Sequence, residues 1–439
     1  MKVIQVLNHF LPQKIAGTEV YTWALSKHLQ NHGVDVKVLI PHYRETISNM
    51  YFYDSILVHQ YAEPSAVDRS LIMGFREPDG LIHFEKYIRY ERPDIIHFHE
   101  IAGSNGITLR HLYVAKLSGA KVLMTFHLAG NSCKAGTLVQ LGKKSCDGII
   151  DLQKCSNCYL QSTGHGKIAT ILTAISTFCH KFSINTTLLQ NKLGTAFGTV
   201  QIISNLKKDL NFLVSQCDYV VCITEWYQKI LIANGVNKSK IRVIKQGIPL
   251  DPTNYISRRN YQERPLRLIF LGRINKFKGL HLLIDAIKDI DANLIQLSIF
   301  GNSEDSVYES MLKIQTASNN NILWKGKLNT IHVIEVLQQH DLLCLCSTFS
   351  EMSPLVIQEA FAARIPVLAS NVYGNAEQIC HNFNGLLFEF NNIQDLQKQI
   401  LRLIHEPELL QDLSKNIKLP RSFKEVSNEY LDLYKNLLH

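Results

Sequence analysis

No stretch of the 439 residues reaches the ~18 uninterrupted apolar positions that a membrane-spanning helix needs. Cysteine is scarce, with ten residues, far below a secreted scaffold built on disulfides. Charged residues make up only 19% and hydrophobic ones 46%, a balance that excludes a disordered chain, a collagen-like repeat and a coiled coil. Met1–Leu7 lacks the length and the small-residue cleavage site of a secretory signal and reads as a first strand. The expected location is therefore a reducing cytosol. The net charge of +8 suits anionic ligands or a membrane surface without specifying either. No basic stripe interleaved with aromatics points to nucleic acid. At roughly 100–200 residues per domain, two or three domains are expected.

Short runs rich in Val, Ile and Leu alternate with helical patterns. Val3–Leu7, Val36–Ile40, Ile95–Phe98, Val122–Phe126 and Tyr219–Ile223 read as parallel strands covered on both faces. Thr18–Asn31 reads as the first crossover helix, stopped at Gly33. Asp251–Asn260, polar and holding Pro252, reads as a linker. A second series follows at Leu266–Leu271, Leu294–Phe300, Ile322–Trp324, Leu342–Leu345, Pro366–Ala369 and Leu386–Phe388. Two such series predict an α/β chain of two Rossmann-like, doubly wound parallel-sheet domains facing across a cleft. One covers 1–250 and the other 262–420.

The interval Cys133–Gln216 interrupts the first series. It holds nine Lys, three Asp and neither Arg nor Glu, a net +6 of the chain's +8. Ile168, Ile171, Leu172, Ile175, Phe178, Cys179 and Phe182 fall on one helical face, with Thr170, Thr173, Ser176, Thr177 and Lys181 on the other. The apolar face is expected to dock on the first domain; the other reading is an interfacial helix or acceptor-binding surface near anionic lipid. Cys133, Cys146, Cys155 and Cys158 form C-x12-C-x8-C-x2-C. That spacing suits a tetrahedral thiolate site with a structural zinc, ahead of an iron–sulfur cluster, two disulfides or four free thiols.

The chemistry is expected in the second domain. Gly272-Arg273 ends one strand and Lys278-Gly279 follows five residues on. Arg273 and Lys278 supply two positive charges for a phosphate and for charge growing on a leaving group. After Leu342–Leu345 comes Glu351-Met352-Ser353-Pro354-Leu355, with Ser353 expected as N-cap and Pro354 in the first helical turn. A helix starting there turns free N–H groups toward an anion. Glu359 lies eight residues beyond Glu351, and Gly374–Glu377 and Gly385 mark two more turns.

In order and spacing these residues resemble the family 4 glycosyltransferases, also called glycosyl transferases group 1. In the first domain Ala16-Gly17-Thr18-Glu19, Asp94–His99, Thr125-Phe126-His127, Ile223-Thr224-Glu225 and Gly247-Ile248 carry the likeness, which covers nearly all the chain outside Cys133–Gln216. The resemblance implies a GT-B fold, with the last helix, about Glu425–Leu438 within 421–439, packing back on the first domain. It implies a retaining hexosyltransferase taking a UDP- or GDP-linked sugar to a glycan or lipid-linked acceptor, in cell-surface polysaccharide or glycolipid synthesis. It implies no catalytic metal and a cytoplasmic location, peripheral at the inner membrane face. By position, Arg273 and Lys278 hold the donor diphosphate and Glu359 the ribose. Glu351 contacts the transferred sugar, and His127 lies beside it. Gly17 lets its loop approach the diphosphate; Glu19, Gly272, Ser353, Pro354, Leu355 and Glu377 complete the expected binding set. Two departures are Ala16, where Gly-Gly is common, and Leu128, where Asp often follows the His. The alternatives are a non-catalytic nucleotide-sugar or glycan binder and a nucleotide-sugar epimerase of the same fold.

Overall fold

The computed structural model describes all residues except 67, 102–105, 190, 250–264, 304 and 330–331. The expected linker Asp251–Asn260 lies outside the described residues. The chain forms two compact units: Met1–Leu141 with Cys146–Lys245 and Phe423–His439, and Gln246–Ser422 with Gly142–Ser145.

The first unit is built on β1 (Lys2–Val6), β2 (Asp35–Tyr43), β3 (Asn49–Tyr53), β4 (Ile56–Glu63), β5 (Ile95–Phe98), β6 (Lys121–Phe126), β7 (Tyr219–Cys222) and β8 (Ile241–Val243). Their order across the sheet is β8-β7-β6-β5-β1-β2-β4-β3. All neighbours are parallel except β3 and β4. The central strands are buried on both faces, which is why they read as unbroken Val/Ile/Leu runs. Sequence reading missed the β3–β4 hairpin. Its turn is Asp54-Ser55, both at positive φ (46° and 66°), a conformation usually announced by Asn-Gly or Asp-Gly.

Helix α1 (Gly17–Asn31) follows β1, and Gly33, at φ 76°, closes it with its N–H on Gln30 O at 2.9 Å. In the insert, α2 (Ala169–Lys181) does not dock as expected. Its buried seam is Ala169, Leu172, Thr173 and Ser176, while Ile168, Ile171, Ile175, Phe178 and Phe182 are exposed. The small seam lets α2 lie close to α3 (Thr199–Gln216), where Ser176 Oγ accepts the Val200 N–H at 2.8 Å. The last helix, Phe423–Leu438, packs on α1, burying Phe423, Tyr430 and Tyr434. The Tyr21 ring meets Phe423 edge-on at 4.9 Å.

The second unit is a six-stranded parallel sheet of β9 (Leu266–Leu271), β10 (Ile295–Phe300), β11 (Ile322–Gly326), β12 (Leu342–Leu345), β13 (Val367–Ser370) and β14 (Gly385–Phe388). The order is β11-β10-β9-β12-β13-β14. Chain direction of winding reverses between β9 and β12, and in such sheets ligands bind at the carboxyl ends of the strands flanking that reversal. One apolar core lies on each face of the sheet.

Candidate functional site

In the second unit, the loops and helix starts that follow β9, β12 and β13 carry every charged residue expected to meet the donor, and these strands are neighbours. Beyond β9, Gly272 N–H donates to Phe300 O at 3.1 Å and Arg273 stands exposed. A short turn, Lys276–Lys278, is capped by Asn275, whose side chain accepts the Lys278 N–H. Gly279 follows at φ 68°, and a Cβ there would fall on the Cys346 carbonyl oxygen. This contact presses the β9 turn against the end of β12. Thr348 N–H fastens the same turn by donating to Phe277 O at 2.8 Å.

Lys278 Nζ then reaches Glu351 Oε1 at 2.6 Å, and Ser347 Oγ donates to the same oxygen at 2.6 Å. Both side chains are largely buried, with 15% and 8% of their surfaces exposed. Two donors occupy Oε1 of Glu351, and Lys278 has two further N–H protons to give. The Lys278 ammonium also sits 5.4 Å from the centre of the Phe349 ring. Behind Glu351, a Cβ on Gly374 would strike the Glu351 carbonyl, so the loop rests on bare backbone.

Helix α4 (Leu355–Ala362) begins immediately after. The expected cap is corrected: Pro354, at φ −67° and ψ 121°, occupies the N-cap, and no side chain caps the helix. Ser353 lies outside because a residue before proline is disfavoured in helical conformation. Without a side-chain cap, the first N–H groups of α4 present the positive end of the helix. Glu359 is partly exposed, and its side chain has neither hydrogen bond nor ion pair among the described residues. Surrounding protein raises its carboxyl from 4.5 to about 7 by desolvation. Glu377 closes the short helix Tyr373–Ala376, and Gln358 and Gln378 join that turn to α4 by their side-chain amides.

The first unit contributes its own cluster. Gly17 opens α1 behind an extended Ala16, and a Cβ on Gly17 would meet nothing within 4 Å. Packing therefore does not require the glycine. Glu19 is buried, paired with Lys14 at 3.4 Å, and its carboxyl is raised mainly by desolvation. His127 follows β6 and is 8% exposed. Its Nε2 lies 3.1 Å from His99 Nδ1, and His99 Nε2 lies 2.7 Å from Gln5 Oε1. With the Gln5 amide oxygen facing His99, His99 Nε2–H donates to it, and His127 Nε2–H donates to His99 Nδ1. The His127 lone pair is then on Nδ1. Burial lowers His127 to about 3, so it is neutral at pH 7. His97 continues the network to Tyr434 OH at 2.6 Å and Thr125 Oγ1 at 2.7 Å.

The model of Glycosyl transferases group 1 matches residues 253–419, and that of Glycosyltransferase Family 4 matches residues 15–145. The chain belongs to the family 4 glycosyltransferases. Two glycosyltransferases of Methanocaldococcus jannaschii are 24% and 30% identical, over 57% and 53% of this chain and 69% and 65% of their own lengths. An Escherichia coli enzyme described as UDP-Gal:alpha-D-GlcNAc-diphosphoundecaprenol alpha-1,3-galactosyltransferase is 27% identical over 50% of this chain and 59% of its own. The chain thus spans 59% to 69% of these relatives' lengths. Among solved structures, Anabaena HepE with UDP-glucose aligns at TM-score 0.63 and sucrose-phosphate synthase of Thermosynechococcus elongatus at 0.67. Each is 15% identical, and the alignments cover 99% of this chain and 100% and 98% of theirs, which fixes the fold as GT-B.

Within this family 4 chain, the sequence pointed to the β9, β12 and β13 loops but not to the partners of their residues. The Lys278–Glu351 pair and the Gln5–His99 support behind His127 went unread. Gln5 had a signal, a lone amide inside the buried run Val3–Leu7. At the position where Asp is frequent, Leu128 is 58% exposed. The zinc or iron–sulfur cluster expected at Cys133, Cys146, Cys155 and Cys158 finds no support. Among the described residues no group of three or more His, Cys, Asp or Glu is arranged to hold a metal. The four cysteines line one pocket as half-buried free thiols. Cys155 points its S–H to Ile149 O at 3.8 Å and Cys158 to Val139 O at 3.5 Å. Burial raises Cys146, Cys158 and Cys155, the last to about 11.

Proposed function

We propose that this chain is a retaining hexosyltransferase, taking a sugar from a UDP- or GDP-linked donor to a glycan or lipid-linked acceptor at the cytoplasmic face of a membrane. The observation that carries the reading is the Lys278–Glu351 pair at 2.6 Å, set beside the uncapped start of α4 where the winding of the second sheet reverses. Arg273, Lys278 and the α4 N–H groups hold the donor diphosphate, with Gly272, Ser353, Pro354 and Leu355 shaping the backbone around it. Glu359 accepts the ribose hydroxyls. Glu351, with Oε1 occupied, accepts a hydroxyl of the transferred sugar on Oε2. Neutral His127 accepts another on Nδ1, and Gly17 leaves room for the diphosphate. Glu19, in the first turn of α1, and Glu377, at the end of the short helix Tyr373–Ala376, complete the binding set.

The reaction breaks the bond between the anomeric carbon and the phosphate oxygen, and the electron pair leaves with the nucleoside diphosphate. The acceptor hydroxyl attacks the same face of the oxocarbenium-like centre, and its proton passes to the departing phosphate oxygen. Fixed cations stabilise the growing negative charge most where it is largest, in the transition state. This chemistry asks for no metal. Two names support the substrate class: a relative acts on a diphosphoundecaprenol-linked sugar, and a structural neighbour was solved with UDP-glucose.

The test is incubation with a panel of nucleotide sugars without acceptor, in the presence and absence of EDTA. One donor is expected to be hydrolysed slowly, at a rate indifferent to EDTA, with a loss of about 100-fold or more in Lys278→Ala. Tight nucleotide binding with no donor consumed across the panel would overturn the reading.

A further inference from the structure

Helix α2 is turned inside out relative to an ordinary surface helix. Apart from Leu172 its buried seam is small and hydroxylic, and Thr173 and Thr177 satisfy their hydroxyls on carbonyls of their own helix at 2.8 Å. Its outward face is the large apolar one, with Ile171 62%, Phe178 59% and Phe182 58% exposed. Phe178 and Phe182 lie together, ring centres 4.6 Å apart. The chain continues with Leu188, Leu189 and Leu193, each at least 60% exposed. Of the thirty large hydrophobics exposed among the described residues, nine fall between positions 168 and 193. Concentration of this kind marks a surface that is covered in use.

The surrounding charge says what covers it. From Leu152 to Lys208 the chain has no Asp or Glu over 57 residues, and it carries six Lys. Lys167, Lys181 and Lys192 are exposed and interleave with the apolar residues. A second copy presenting this same face would place lysines against lysines. An anionic lipid surface supplies both an apolar layer for the side chains and phosphates for the ammonium groups. Among the described residues no helix is long and apolar enough to cross a membrane, so the contact is one of lying on the surface.

The geometry points to the α2 face, continued through Leu193, as the membrane-docking surface of this protein, for bilayers rich in anionic phospholipid. This deepens the reading of a lipid-linked acceptor, but it is measured without donor or acceptor, so either can fail alone. The full-length chain is sedimented with vesicles of phosphatidylcholine alone and of phosphatidylcholine with phosphatidylglycerol. Binding is expected on the anionic vesicles only, weakening as salt is raised. The double variant Ile171→Asp/Phe178→Asp is expected to bind at least tenfold more weakly, with donor hydrolysis in solution unchanged. The matched variant Ile171→Leu/Phe178→Leu is expected to keep binding. Equal binding by the Asp variant, or no binding of the natural chain to anionic vesicles, overturns the proposal. A dimer seen by analytical ultracentrifugation and lost in the Asp variant also overturns it, by assigning the face to a second copy.

Discussion

Glu359 sits among neighbours that leave its carboxylate poorly solvated and unpaired. Its carboxyl is raised to about 7, so it is largely protonated below that pH. A protonated carboxyl accepts ribose hydroxyls more weakly than a carboxylate does, and a nucleotide sugar has no phosphate proton that titrates near neutrality. Donor affinity is therefore expected to strengthen as pH rises through about 7. In Glu359→Gln the dependence should flatten, since the amide does not titrate. Calorimetric titration with the intact nucleotide sugar at pH 5.5 and 8 checks both. For stability the sign is opposite: as pH rises from the ordinary value of 4.5 toward 7, the unfolded chain loses its proton first, and this group's contribution falls. The type and position of Glu359 were legible in the sequence. The poor solvation of its carboxyl was not, because that depends on how α4 lies against the sheet.

At the scale of elements, the two halves of the donor loop system meet where glycine permits it. Gly279 combines a left-handed backbone with contact against the Cys346 carbonyl. Gly279→Ala should therefore cost on the order of 1–3 kcal/mol and displace Lys278 from Glu351. A lowered melting temperature with a larger loss of donor hydrolysis than the stability change explains is the expected result. Strands were the most legible elements, since burial on both faces writes itself as Val, Ile and Leu. The β3–β4 hairpin was not, because Asp54-Ser55 adopts its turn without the usual glycine. Helix α2 shows a deeper limit. Periodicity finds an apolar stripe, but not which stripe faces the protein, and here close approach through Ala169, Thr173 and Ser176 prevails.

For the whole molecule, the first unit is closed by a segment remote in sequence. Phe423, Tyr430 and Tyr434 are at most 2% exposed, and Tyr434 bonds His97 while Tyr430 bonds Tyr21 at 3.0 Å. Removing three such aromatics costs about 3–5 kcal/mol each, comparable with the total stability of a typical domain. A variant ending at Ser422 is thus expected to lose the first unit's cooperative transition in scanning calorimetry. The sequence showed the helix and, through the family likeness, its destination. The network it completes was invisible, since Gln5, His97, Thr125 and Tyr434 are joined by folding alone.

That closure also orders the birth of the protein. The ribosome releases residues 423–439 only after all of 246–422 has emerged. The second unit has every residue it needs at that moment, whereas the first must wait, its aromatic sockets open, for the tail of the polypeptide. Nascent chains stalled before position 423 should present a finished second unit and an unfinished first unit that a chaperone would recognise.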